Sequence, residues 1–195
     1  MERTGPWAWF FLLYAVWGFC TLDDFGVHLD EMTQRTIGME NNRFLSGRVG
    51  FDKVEQHKFF GPAWESISYL AEQVVFTEPL RVKLLLRRAL LWSFFMLGLW
   101  RLYLMGLRNN GWGMIGWGME EKEVGLGSVS RKRLGAMLPV LMVALWPRMF
   151  AEAHYNTKDA LFFVLVLLVV DGLDRVWSRG LKRGDGGWFG VMGWL

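Results

Sequence analysis

Two short polar stretches of this chain hold residue types suited to proton and phosphate chemistry. The first reads Asp24-Phe-Gly26-Val-His28-Leu-Asp30-Glu31-Met-Thr-Gln34-Arg35, and the second His154-Tyr-Asn156-Thr-Lys158-Asp159. Adjacent carboxylates such as Asp30 and Glu31 can divide labour. One takes a proton from an acceptor while the other orients that acceptor or binds a cation. Lys158 offers a compact positive charge suited to phosphate. A plainer reading stands beside this one. Asp30 can cap a short helix, with Glu31 pairing to Arg35 four residues on. Asn156 and Asp159 have the spacing of a cap for a following helix, whose dipole favours the carboxylate. His28, His57 and His154 lack metal-ligand spacing.

The elements that must position these groups are apolar. The chain has 195 residues, 52% of them hydrophobic and 21% charged, with 12 Trp and 15 Phe. The charges fall between uncharged blocks rather than among them, and the abundant aromatic rings suit the two interfaces of a bilayer. Four blocks read as membrane spans: residues 6–22, 89–107, 134–150 and 159–177. Each is near the ~20 residues needed to cross ~30 Å of hydrocarbon. The first could be a secretory signal, but it holds three Trp and no small-residue cleavage site. The fold expectation is therefore an all-α integral membrane protein with about four spans in a single domain. The tail ends on an apolar phrase, Trp188 to Leu195, which reads as the start of a further membrane segment.

Between the first two spans, Gly61-Pro62 reads as a helix start. Ala63, Trp64, Ile67, Leu70, Ala71, Val74 and Val75 then recur at helical spacing, with Glu65, Ser68, Glu72 and Gln73 largely opposite. This predicts an amphipathic helix lying in the membrane interface, or else packed on a partner. Cys20 is the only cysteine, which rules out an intramolecular disulfide. A net charge of +3 with no single basic stripe argues against nucleic acid. Gly111-x-Gly113-x-x-Gly116 matches a dinucleotide fingerprint, yet it sits between spans rather than in a βαβ unit, so no nucleotide cofactor is expected.

The residues carry a resemblance as well. The motif Asp24-x-Gly26-x-x-x-Asp30-Glu31-x-x-Gln34 is followed by Gly61-Pro62-Ala63-Trp64-Glu65. Then comes Pro147-Arg148-Met-Phe150-Ala-x-x-His154-x-Asn156-x-Lys158-Asp159. Together they resemble the bacterial C-type membrane glycosyltransferases, and more narrowly the dolichyl- or polyprenyl-phosphate-sugar:protein mannosyltransferase-like group. The resemblance covers about residues 24–163, the N-terminal part of such an enzyme. It implies an inverting transfer of a sugar from a polyprenyl-phosphate carrier on the non-cytoplasmic face. Asp30 and Glu31 would match the family's catalytic or acceptor-binding carboxylates. Asp159 would lie near the phosphate or a divalent cation (Mg or Mn), with Lys158 or Arg148 steadying the leaving phosphate. Asp24, His154 and Asn156 belong to the matched motifs without an assigned step. Family members carry more spans, so this chain is expected to be a fragment, to need a partner subunit, or to be a non-catalytic relic.

Orientation follows from the basic residues. The segment 108–133 carries five Lys or Arg, whereas residues 151–158 carry only Lys158. The positive-inside bias puts both termini in the cytoplasm and the two polar motifs outside, at the cell membrane. Arg81, Lys83, Arg87 and Arg88 oppose this assignment, but long loops translocate largely regardless of charge. In a Cys20→Ser background, Lys122→Cys should stay unlabelled by an impermeant thiol reagent on intact cells. Labelling there would reverse the orientation.

Overall fold

The computed structural model describes residues 6–26, 29–50, 62–75, 78–109 and 128–179. Gly61, His28, His57, the segment with Gly111, Gly113 and Gly116, and the tail from residue 180 lie outside the described residues. Among those described, every regular element is helical: α1 (Pro6–Cys20), α2 (Leu29–Leu45), α3 (Pro62–Glu72), α4 (Leu80–Arg108), α5 (Ser128–Ala144), α6 (Pro147–Tyr155) and α7 (Thr157–Arg179). The all-α expectation holds.

Helix α4 is the axis of the bundle, touching α1, α3, α5, α6 and α7. It runs 29 residues with a mean hydropathy of 1.5 over its most apolar stretch, long and apolar enough to cross a membrane. It begins at Leu80 rather than near residue 89, because Arg87 and Arg88 are buried inside it against carboxylates of α2 and α3. The expected third span is broken. Pro147 starts α6 after a 67° bend from α5, since a proline disfavours helix in the residue before it. Taken together, the bent pair is apolar and long enough to cross; α1, at 15 residues, is apolar but shorter than a crossing needs. The 23 residues of α7 include Asp171, Asp174 and Arg175 near its end. Among the described residues, one helix thus meets the requirement alone, two if the bent pair counts.

The core gathers around Trp92 and Phe95 of α4, with Phe11, Tyr14, Met137, Val140, Ala153 and Ala160 from the surrounding helices. Glycines let the helices approach. A Cβ at Gly18 would fall within 2.1 Å of the Trp92 ring, whose Nε1 donates to the Ala15 carbonyl at 3.1 Å. Gly98 of α4 meets Val164 of α7 in the same way. Tyr14 donates to the Ala144 carbonyl at 2.7 Å, fixing α1 against the end of α5.

Helix α3 forms where the spacing predicted and packs on α2 and α4, with its polar face inward. Glu65 and Glu72 are 3% and 0% exposed, whereas Ile67 and Leu70 are 49% and 57% exposed. The cause is charge: both glutamates pair with arginines of other helices, which offsets their burial. The α2–α3 crossing is closest at Gly38, where a Cβ would lie 2.2 Å from the Glu65 carbonyl oxygen. Backbone cannot swing aside as a side chain can. Gly38→Ala should therefore cost about 1–3 kcal/mol, the usual cost of overpacking. Gly98→Ala, which meets only the Val164 side chain, should cost less. Thermal unfolding of the two purified variants checks the order.

Candidate functional site: a buried arginine pair between two polar motifs

Consecutive residues on a helix point about 100° apart, so Arg87 and Arg88 serve different neighbours. Arg88 grips Glu31 of α2 with two parallel bonds, Nε to Oε1 and Nη2 to Oε2, each 2.7 Å. Its Nη1 donates to the Leu22 carbonyl at 2.7 Å, and Nη2 also reaches the Gly26 carbonyl. The turn between α1 and α2 is thereby folded around one guanidinium. Gly26 suits that turn because its φ is +60°, a conformation side chains disfavour. Arg87 pairs with Glu65 of α3 and, at 3.2 Å, with Glu72. Glu72 accepts a further bond of 2.7 Å from Arg35 of α2. Glu65 also accepts from the Thr157 hydroxyl at the start of α7.

A small cavity opens among these groups, lined by Glu31, Gln34, Arg87, Arg88, His154 and Thr157. It has room for about one water molecule. His154 is fully buried in a box of rings, 4.5 Å from Phe25 and 4.6 Å from Trp92 and Phe150, centre to centre. Its Nδ1 lies 2.7 Å from the Phe150 carbonyl oxygen, and its Nε2 lies 3.0 Å from that of Gly18 and 3.3 Å from the Thr21 hydroxyl. His154 therefore ties α6 to the end of α1.

The other residues singled out in the sequence are spread around this centre. Asn156 caps α7: its Oδ1 accepts from the Lys158 and Asp159 amides at 3.1 and 3.5 Å, and its Nδ2 donates to Asp159 at 3.1 Å. Asp30 sits in the first turn of α2, where the helix dipole favours a carboxylate. Asp24, Asp30, Lys158 and Asp159 are exposed at the surface, as is Arg148, whose Nε lies 3.5 Å from Glu152. The structure thus gathers Glu31 and His154 into one polar centre and leaves Asp24, Asp30, Arg148, Lys158 and Asp159 outside it. Among the described residues no three His, Cys, Asp or Glu side chains converge as a metal cage. The bonds at Asp159 are those of a helix cap.

Sequence reasoning assigned no role to Arg87, Arg88, Glu72 or Thr157. The available signal was balance. Two adjacent arginines before an apolar helix face Glu65 and Glu72, two turns apart on one face of α3. Comparison with protein-family models, curated proteins and solved structures returns no match.

The buried and exposed ion pairs should respond differently to mutation. Arg88→Gln strands Glu31 in the interior and should cost about 3–5 kcal/mol. Arg81→Gln, which breaks the exposed contact to Asp23, should leave the unfolding midpoint near wild type at neutral pH. The Arg81 guanidinium beside Asp23 holds that carboxyl below the usual carboxylate range. Any stabilisation from it is therefore present above that range and fades as pH falls through the lowered value. Unfolding midpoints of both variants at neutral and acid pH measure the contrast.

Proposed function

We propose that this chain is a multi-pass membrane protein, the N-terminal part of a C-type glycosyltransferase that moves a sugar from a polyprenyl-phosphate carrier. The observation that carries the membrane half is an inversion of ordinary burial. Arg87, Arg88, Glu31, Glu65, Glu72 and Asp171 are inside, while Trp9, Leu13, Met142, Leu145, Phe162 and Leu173 are more than half exposed. Water-soluble proteins seldom bury that many charges while leaving apolar faces this large exposed. A bilayer accepts the faces, and the ion pairs meet the cost of charge within it. On this reading α1, α4, the bent α5–α6 pair and α7 are the four spans, with both termini cytoplasmic.

The catalytic half rests on convergence. Glu31 of the first motif and His154 of the second are 123 residues apart in sequence, yet both line one cavity beside Arg87 and Arg88 of α4, with Asp30 and Asp159 exposed outside it. In an inverting transfer the acceptor hydroxyl attacks the anomeric carbon as the bond to the carrier phosphate breaks. The phosphate leaves with the electron pair, and a carboxylate takes the hydroxyl proton. Glu31 has both oxygens engaged by Arg88, so it suits the orienting role, and exposed Asp30 beside it suits proton transfer. Lys158 and Arg148, both exposed, supply positive charge for the departing phosphate. One observation favours the rival, a non-catalytic membrane subunit of the same family: the cavity has room for about one water molecule, far less than a sugar needs.

The test has two arms. The chain should remain in the pellet after alkaline carbonate extraction of membranes; release into the supernatant would end the membrane reading. Membranes carrying it should transfer label from a radiolabelled polyprenyl-phosphate mannose. Asp30→Asn should lower that rate about 10²–10⁴-fold, the usual loss for a general base. Asparagine caps a helix nearly as well as aspartate, so full activity in that variant would leave Asp30 with a capping role alone.

A further inference from the structure

His154 carries a hydrogen-bonding conflict that the proposed transfer does not use. A neutral imidazole has one nitrogen that donates and one that only accepts. Here both ring nitrogens face backbone carbonyl oxygens, which only accept. Nδ1 lies 2.7 Å from the Phe150 oxygen, and Nε2 lies 3.0 Å from that of Gly18. Neither neutral tautomer can donate to both, and the ring is fully buried, where a mismatched polar group is costly.

The Thr21 hydroxyl, just beyond α1, separates the two charge states. Its oxygen lies 3.3 Å from Nε2 and 3.1 Å from the Trp17 carbonyl oxygen. In the neutral ring the proton belongs on Nδ1, because the Phe150 contact is the shorter and offers only an acceptor. Nε2 then accepts from Thr21, and the Gly18 oxygen faces a lone pair. In the charged ring both nitrogens donate, one to Phe150 and one to Gly18. The Thr21 hydroxyl then donates to Trp17, which it already reaches. The exchange needs only a proton and a hydroxyl rotation; the ring itself stays in place.

The surroundings admit either state. Phe25, Trp92 and Phe150 lie 4.5, 4.6 and 4.6 Å from the imidazole, centre to centre, and aromatic faces attract a cation. The charged groups facing the ring are Arg88 of α4 and Asp24 of the turn between α1 and α2, which are of opposite sign. Glu31 of α2 and Arg87 of α4 line the same cavity, as do Tyr155 of α6 and the uncharged Thr157 of α7. Glu31 is bound by Arg88, and Arg87 by Glu65 and Glu72. We propose that His154 is a proton switch on the contact between α6 and α1. Uncharged, it is joined to the end of α1 through the Thr21 hydroxyl; charged, it bonds the Gly18 carbonyl directly. Charging therefore tightens the hold of α1 on α6, whose end leads through Asn156 to Lys158 and Asp159. The switch depends on neither the membrane reading nor the catalytic one.

The test is a magnetic-resonance titration of the full chain, purified in detergent with isotope-labelled histidine ring nitrogens. The chain has three histidines, and His154→Gln identifies the signals of this one. At about pH 8 the ring should carry its single proton on Nδ1, and toward about pH 5 both nitrogens should become protonated. The labelled carbonyl of Gly18 should shift with the same midpoint. Thr21→Val removes the hydroxyl that only the neutral ring accepts from. It should raise the midpoint by about half to one pH unit, the worth of one net hydrogen bond, while Thr21→Ser should leave it near wild type. A ring that keeps one charge state throughout overturns the proposal, as does a neutral form protonated on Nε2. So does a Gly18 signal that fails to follow the ring, or an unchanged midpoint in Thr21→Val. If that variant does not fold, the ring and carbonyl titrations of the unsubstituted chain still decide.

Discussion

Two neighbouring guanidiniums, Arg87 and Arg88, set the geometry of one half of this molecule. Arg88 closes the turn between α1 and α2 and fixes Glu31, while Arg87 draws α3 onto α4 through Glu65 and Glu72. Thr157 enters the same network through Glu65, so the start of α7 is positioned by a residue on α3. A buried arginine without its carboxylate costs far more than the pair contributes when intact. The network is therefore a strong constraint on arrangement, whatever its net contribution to stability. Its five helices (α1, α2, α3, α4 and α7) have little freedom to dock otherwise.

That constraint explains why α3 faces inward with its charges. An isolated amphipathic helix in water would bury Ile67 and Leu70 and expose Glu65 and Glu72. Here the arginines inside α4 reverse the preference, and the apolar face turns outward. The same logic recurs at the far end, where Asp171 sits among arginines of α4 and α7. Between the two ionic layers lies the aromatic and aliphatic core around Trp92, Phe95 and Met137. Polar layers thus lie at both ends of the bundle, with apolar packing between them.

His154 shows how one side chain can serve both packing and polar functions. Its ring fills a gap among Phe25, Trp92 and Phe150, while its nitrogens bridge α6 to the end of α1. The bend before Pro147 makes this possible, because it turns α6 back across the top of α4. A straight span through residues 134–150 would have carried His154 away from Gly18.

The sequence by itself determined the helical class, the apolar blocks and the starts of α3 and α7. Those properties are local: hydrophobic periodicity, Pro62 at a first turn and Asn156 before α7 all act within a few residues, whereas the apolar run reads straight through the break at Pro147 as one span. It also marked Glu31 and His154 as members of polar motifs, since ionisable groups beside apolar blocks stand out in a linear reading. The partners of those groups were not legible. Nothing local says that Arg88 belongs to Glu31 57 residues earlier, or that Glu65 meets Thr157 92 residues later. Periodicity fixed which residues share a face of α3 but not which face turns inward, because that depends on charges buried in a different helix. Only the tertiary structure decided it, by bringing the carboxylates of α2 and α3 to an arginine pair that neither helix contains.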